Sequence, residues 1–254
     1  MTLHDLSPWV SHEMSHEMDV NWQPHSFRVR TRVPVLLRAR IPTMIITPSE
    51  AVRRAAIARF RLDAARVVAV PLAASSQFRP VESPPPARPY FLFVGTLEPR
   101  KNIARLIEAW REVRKSQDVD LVLAGRLRAD FRPPAGEPGL HVLGAVLEED
   151  LPALYSGAIA FVYPSLYEGF GLPVLEAMQC GATVITSRDP AIMEVSGDAA
   201  VHVDATDVRA LAEAMLARPV RREESLQRAA MFSWPITARK TREVYDAARR
   251  LFSK

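Results

Sequence analysis

Short runs of apolar, often β-branched residues alternate with amphipathic stretches through most of the chain after residue 90. YFLFVG at 90–95 is apolar up to its glycine, and in the following NIARLIEAWREVRKS the residues Ile103, Leu106, Ile107 and Trp110 recur at helical spacing. Asn102 stands where an N-cap belongs. The alternation continues with strands at 119–125 (VDLVLAG) and 140–146 (LHVLGAV), a helix over 148–156, a strand at 158–165 (AIAFVYPS) and a helix over 173–179. Strands at 182–187 (ATVITS) and 200–204 (AVHVD) and a helix over 206–217 complete it. Strands without a polar face, separated by helices, predict a doubly wound parallel sheet covered on both sides. Such sheets bind ligands at the carboxyl ends of their strands. Upstream the signal is thinner: MTLHD reads as the end of a strand, TMIITPSE and ARVVAVPLA as two more, and SEAVRRAAIARF as a helix capped by Ser49. The chain closes on SWPITARKTREVYDAARRLF, a long amphipathic helix with Ser233 as cap and Pro235 in its first turn.

Punctuation divides this pattern. ESPPPARPY carries four prolines between Pro84 and Pro89, which forbid helix and central strand. It marks a linker at 82–89 between an α/β part at 1–81, short of strands, and a Rossmann-like domain at 90–232, with 233–254 as the closing helix. All ten glycines lie between Gly95 and Gly197. Loops that cradle phosphate need glycine where backbone approaches ligand, so any such loop belongs to the second part.

Composition narrows the field. With 48% hydrophobic and 24% charged residues in 254, the chain reads as soluble and globular. No apolar run reaches the length of a membrane span, and no signal-peptide pattern opens it, so a cytoplasmic location is expected. Cys180 is the single cysteine, which rules out an intrachain disulfide. Net charge is +4, but Arg28 to Arg61 holds nine arginines, no lysine and one acid, Glu50. Such a block suits an anionic partner, and peripheral contact with an anionic membrane is one expectation. No zinc spacing or aromatic RNP-like strand accompanies the arginines, so nucleic acid is not expected. HEMSH, His12 to His16, spells the H-E-x-x-H zinc signature. The tetrapeptide SHEM, however, stands twice in tandem at 11–14 and 15–18, and that duplication spells the signature automatically. A solvated loop or helix is expected there, with a zinc hydrolase as a remote alternative.

Two segments carry chemistry. PSLYEGFGLPVLEAMQCG, Pro164 to Gly181, leaves a strand, turns through Gly169 and Gly171 and enters a helix with Pro173 near its start. Free N–H groups and the positive end of the dipole make that helix start an anion site. Glu176, about one turn in, could accept two hydroxyl hydrogen bonds from a ribose. VGTLEPRKN, Val94 to Asn102, also leaves a strand and opens a helix. It sets Arg100 and Lys101 at a carboxyl end of the sheet, where two cations can hold a departing diphosphate.

With these motifs on the page, the stretch from Val94 to about Met215 resembles the donor-binding half of family-4 retaining glycosyltransferases of the two-domain GT-B fold. TLHDLSP at 2–8 is similar to an acceptor-domain strand end of that family, and the final helix to its last helix. The resemblance implies transfer of a sugar from a nucleotide-sugar donor to a glycan or lipid-linked acceptor, with retention and without an essential metal or other cofactor. Arg100 and Lys101 would neutralise the donor diphosphate, and main-chain N–H groups at Phe170, Gly171 and Leu172 would bind its distal phosphate. Glu176 would hold the ribose, while Glu168 and His4 would act at the donor sugar. Thr96 replaces a basic residue common after the strand glycine, and VPLAAS at 70–75 replaces a P-N-G turn. The front of an acceptor domain has no counterpart, so the resemblance implies a truncated chain, or a nucleotide-sugar-binding module without turnover.

Overall fold

The computed structural model describes residues 1–10, 24–82, 86–129, 131–134 and 136–252. His12 and His16, and with them the zinc alternative, lie outside the described residues. The chain divides into two compact units: one comprises 1–73, 168–170 and 232–254, the other 74–167 and 171–231. The division falls before residues 74–81, not at the proline-rich stretch. Phe78 is buried with its ring edge on Tyr155 at 6.1 Å, and the Val81 N–H donates to Ser156 Oγ at 3.1 Å. Gln179 Nε2 holds the same segment by donating to Ser75 O at 2.8 Å.

The first unit contains α1 (Ser7–Val10), α2 (Pro24–Arg38), β1 (Ile45–Thr47), α3 (Glu50–Phe60) and β2 (Val67–Ala69). β1 and β2 pair in parallel, and Thr2, in the stretch expected to end a strand, bridges Ile46 in parallel beside β1. α3 starts where Ser49 Oγ accepts the Val52 N–H at 3.2 Å, a side-chain cap on an otherwise orphaned donor. Arg53 then ties α3 to the start of β2: Nε donates to Val67 O at 2.6 Å, and Nη2 to Ala64 O at 2.9 Å.

The second unit is built on β3 (Tyr90–Val94), α4 (Ile103–Arg114), β4 (Asp120–Ala124), β5 (Leu140–Gly144), α5 (Leu151–Gly157) and β6 (Ala160–Tyr163). α6 (Leu172–Gln179), β7 (Val184–Ser187), α7 (Pro190–Ser196), β8 (Val201–Val203), α8 (Val208–Leu216) and α9 (Arg222–Ala229) follow. Its six strands run parallel in the order β5-β4-β3-β6-β7-β8. The winding reverses between β3 and β6, and at that switch point neighbouring loops part to leave a crevice at the carboxyl edge. Phe91, Leu92, Phe93, Phe161, Val162 and Tyr163 are fully buried on these two central strands. Tyr155 of α5 sets its edge on Phe161 at 5.3 Å, and Tyr163 stacks on Phe93 at 5.6 Å. Trp110 of α4 is buried too, and its indole N–H donates to Val119 O at 3.1 Å, which makes a full-sized indole tolerable there. α7 and α9 were not anticipated. Asp189 caps α7 by accepting from Ala191 and Ile192 ahead of Pro190, a start signal readable in hindsight.

α10 (Trp234–Phe252) closes the chain in the first unit, where Val244 packs on Met44, Ile46 and Val70. Thr237 Oγ1 donates to Pro71 O at 2.7 Å, and Ser233 Oγ accepts the Ile236 N–H at 3.4 Å, as a cap should. No described helix is long and apolar enough to cross a membrane.

Gly125 shows how tightly the site-bearing strand ends approach. Its φ is +144°, and a Cβ there would lie 1.9 Å from Gly95 O. Gly125→Ala is expected to cost about 3 kcal/mol, combining overpacking with backbone strain, and a urea unfolding midpoint checks it.

Candidate active site

The loops leaving β3 and β4 run side by side: Leu97 N–H donates to Arg126 O at 2.8 Å and Arg128 N–H to Leu97 O at 3.2 Å. This brings three charges together. Glu98, buried, accepts from Arg100 Nη2 at 2.6 Å on one oxygen and from Arg128 Nη1 at 2.8 Å on the other. Arg100 also donates through Nη1 to Tyr167 O at 2.6 Å. The anion beside Arg100 is therefore first of all Glu98 of its own loop. Arg128 was missed in the sequence, although strand, glycine and a following basic residue recur there as they do after β3.

Lys101 behaves differently. It is buried, and its ammonium donates to the Tyr163 hydroxyl at 2.5 Å while lying 4.9 Å from the ring centroid. Arg100 and Lys101 both fall on a single 3₁₀ turn, Pro99–Lys101, ahead of α4. Asn102 occupies the N-cap position but does not cap α4. It adopts φ 60°, and its amide donates to Ala205 O at 2.6 Å and Pro164 O at 3.2 Å, tying three loops of the carboxyl edge together. A left-handed asparagine is among the few non-glycine residues that accept this conformation readily.

α6 starts from Gly171, at φ 97°, with Pro173 in its first turn. A Cβ on Gly171 would meet Ile192 at 3.4 Å, so the strained φ, more than crowding, favours glycine here. Among the described residues no hydrogen-bond acceptor meets the N–H of Gly171 or Leu172. One turn on, Glu176 Oε2 accepts the Tyr155 hydroxyl at 3.1 Å. Burial pushes the Glu176 carboxyl up to about 7, against the lowering effect of that hydrogen bond. The same burial, with the adjacent carboxylate, drives Tyr155 well above the ordinary phenol range. Tyr155 is a second partner that sequence reasoning overlooked, because its relation to Glu176 is tertiary.

The remaining candidates belong to the first unit. Glu168 and Phe170 are buried, and Phe170 meets Phe232 edge to face at 6.0 Å. Between them Gly169 O accepts Ser49 Oγ–H at 2.7 Å, and a Cβ on Gly169 would lie 2.2 Å from His4 O. The structure thus brings the 168–170 loop against the His4 backbone, with the exposed imidazole beside it in the chain. By contrast, Arg100, Lys101, Gly171, Leu172 and Glu176 are borne by the second unit.

The profile of the family described as "Glycosyl transferases group 1" matches residues 75–224, more than half of the chain. The chain belongs to that family. O-antigen chain mannosyltransferase B of Escherichia coli is 36% identical over 229 residues, covering 80% of this chain and 60% of that protein. MMP alpha-(1->4)-mannosyltransferase of Mycolicibacterium hassiacum is 33% identical over 168 residues, covering 59% of this chain and 41% of the relative. The group 1 chain thus spans less than two thirds of the length of these curated relatives. Among solved structures, sucrose-phosphate synthase of Thermosynechococcus elongatus superposes with a TM-score of 0.78 at 24% identity, over 99% of this chain and 67% of that one. HepE of Anabaena, in complex with UDP and glucose, gives 0.76 at 17% identity, over 97% and 71%. These likenesses show an α/β fold of the GT-B kind.

Ser49 links the α3 cap to the 168–170 loop. Ser49→Ala is expected to lower stability by about 1–2 kcal/mol, since it removes the cap and strands the Gly169 carbonyl. Chemical denaturation with an unchanged m-value checks this, and Ser49→Thr should recover most of the loss.

Proposed function

We propose that this group 1 chain transfers a hexose from a nucleotide-sugar donor with retention at the anomeric carbon, acting on a glycan or lipid-linked acceptor. The observation that carries the reading is the α6 start: a left-handed Gly171, N–H groups at Gly171 and Leu172 that meet no acceptor among the described residues, and Glu176 one turn on under Tyr155. Together they offer a phosphate site and a ribose site one helical turn apart. The mannosyltransferase relatives make mannose the first sugar to test, and the UDP complex of HepE supports a nucleotide-borne donor.

In this reading the main-chain N–H groups of Phe170, Gly171 and Leu172 hold the distal phosphate. Arg100 and Lys101, joined by Arg128, meet the charge that grows on the diphosphate as the glycosidic bond breaks. Cations gathered at this edge suit a departing nucleoside diphosphate. This charge compensation by the chain's own cations makes the proposed chemistry independent of a metal. Glu168 and His4 are assigned to the sugar. The reaction belongs in the cytoplasm, with peripheral contact between the 28–61 region and an anionic membrane face. The second reading is a nucleotide-sugar-binding module without turnover.

Calorimetric titration with GDP-, UDP- and ADP-sugars tests the site. One nucleotide should bind saturably, and Glu176→Ala should weaken it at least tenfold without lowering the thermal midpoint; unchanged affinity would sink the assignment. Donor binding with no transfer to any glycan acceptor would favour the second reading.

A pH series tests the ribose contact separately. Only the ionised Glu176 accepts two hydroxyl donors, and its pKa stands at about 7. Affinity should therefore rise about tenfold from pH 6 to pH 8, following the ionised fraction. Glu176→Gln should bind weakly with a flat profile.

A further inference from the structure

The arginine-rich segment resolves into two classes. Arg53 and Arg66 are bound to backbone: Arg53 reaches Val67 O and Ala64 O, while Arg66 donates to Thr43 O at 2.8 Å and to Pro42 O. The other class, Arg38, Arg40, Arg59 and Arg61, gathers around a cavity of about 620 Å³ in the first unit, which the backbone-bound Arg66 also lines. Its wall carries Arg38, Arg40, Arg59, Arg61 and Arg66 against a single acid, Asp63. Leu37, Phe60 and Leu62 supply an apolar floor. Among the described residues no carboxylate pairs with Arg38, Arg40 or Arg61, whereas Asp63 is engaged as the cap of the turn Ala64–Arg66.

Topology separates this cavity from the 168–170 loop of the same unit. α3 leaves the carboxyl end of β1 at Ser49 and returns to the amino end of β2. Its last turn, and the cavity with it, therefore lies at the opposite edge of that small sheet from the Ser49–Gly169 contact.

Backbone conformation adds a second, independent observation. Arg40 and Arg61 both have φ 53°, in the left-handed region that glycine fills without strain at a helix end. Attraction to the helix dipoles accounts for Arg38 and Arg59, which lie in the last turns of α2 and α3. It does not require two further arginines at positions where glycine would be more stable. Arg218, after α8, is left-handed too (φ 43°) but lies outside this cavity, so it is the meeting of Arg40 and Arg61 on one hollow, not the strain alone, that points to a binding site.

We propose that this cavity binds a phosphate-bearing group, through the planar, bidentate fork that guanidinium offers to phosphate oxygens. The apolar floor is suited to an organic portion attached to the phosphate. That phosphate can come from a soluble diphosphate or from a lipid headgroup, and the inference stands independently of the donor site.

The test uses the full chain and the double variant Arg40→Gly/Arg61→Gly. Wild-type chain should bind pyrophosphate saturably, more weakly as salt rises, and the double variant should lose at least tenfold in affinity. The same substitutions relieve two left-handed strains, so the melting temperature should rise by about 2–4 °C or more, which excludes misfolding as the cause of the loss. Arg32→Gln, an exposed arginine outside the cavity, should change neither reading. Sedimentation with phosphatidylglycerol against phosphatidylcholine vesicles forms the second arm. Vesicle binding lost in the double variant and displaced by pyrophosphate assigns the site to a lipid headgroup; pyrophosphate binding without vesicle binding assigns it to a soluble phosphate. No binding of either probe, or binding that the double variant leaves intact, overturns the proposal.

Discussion

A parallel sheet whose strands are buried on both faces can leave neither face to water, and the second unit follows from that constraint. β3 and β6 expose almost nothing, so helices must cover both sides, and connections long enough to be helices carry each strand to its parallel neighbour. Covering both faces from a central starting strand forces the winding to reverse. The reversal between β3 and β6 puts the turn before α4 and the start of α6 at one carboxyl edge. The glycines at the strand ends extend the same constraint, because backbones that close together leave no room for a Cβ.

Charge at that edge is arranged by internal partners before any ligand arrives. Glu98 holds two guanidinium groups with its two oxygens, and the Tyr163 hydroxyl holds Lys101. These contacts orient cations that would otherwise sample many rotamers, which lowers the ordering cost of binding an anion. Glu176 shows the opposite economy. A carboxyl whose pKa rises from 4.5 to about 7 on folding favours the folded chain while protonated, and that contribution is lost as pH climbs through this window. The loss is about 3 kcal/mol, taken from the conversion of pKa shift to free energy. Keeping an acid in a place that resists its ionisation makes sense where a ligand's hydroxyl groups complete its solvation.

Most of the fold was legible because apolar periodicity is a local signal. YFLFVG, AIAFVYPS and the Ile103–Trp110 face each announce their element without reference to anything distant. α2, α7 and α9 were not read: α7 is seven residues long, too short to show a period, and only Asp189 ahead of Pro190 marks its start, while polar residues dominate α9. The candidate site was legible in its glycines, its cations and Glu176, which cluster in two short motifs. Its tertiary partners were not: nothing local tells that Arg128 shares Glu98 with Arg100, that Tyr155 covers Glu176, or that Asn102 turns from capping α4 to bridging two other loops. The assignment of 74–81 failed for the same reason, because Phe78 belongs with Tyr155 through packing and not through any break in the chain.

Helix ends are used in two opposite ways. At the start of α6 a left-handed glycine opens the helix without a side chain, and its backbone N–H groups stand at the positive end of the dipole. At the ends of α2 and α3 the carbonyls make the dipole end negative, and an anion can be held there only by side-chain charge that outweighs it. Left-handed arginines supply that charge where glycine would supply stability. Arg218 ends α8 in the same conformation outside this cavity, so it is the convergence of Arg40 and Arg61 on one hollow, not strain alone, that argues for what their guanidinium groups hold.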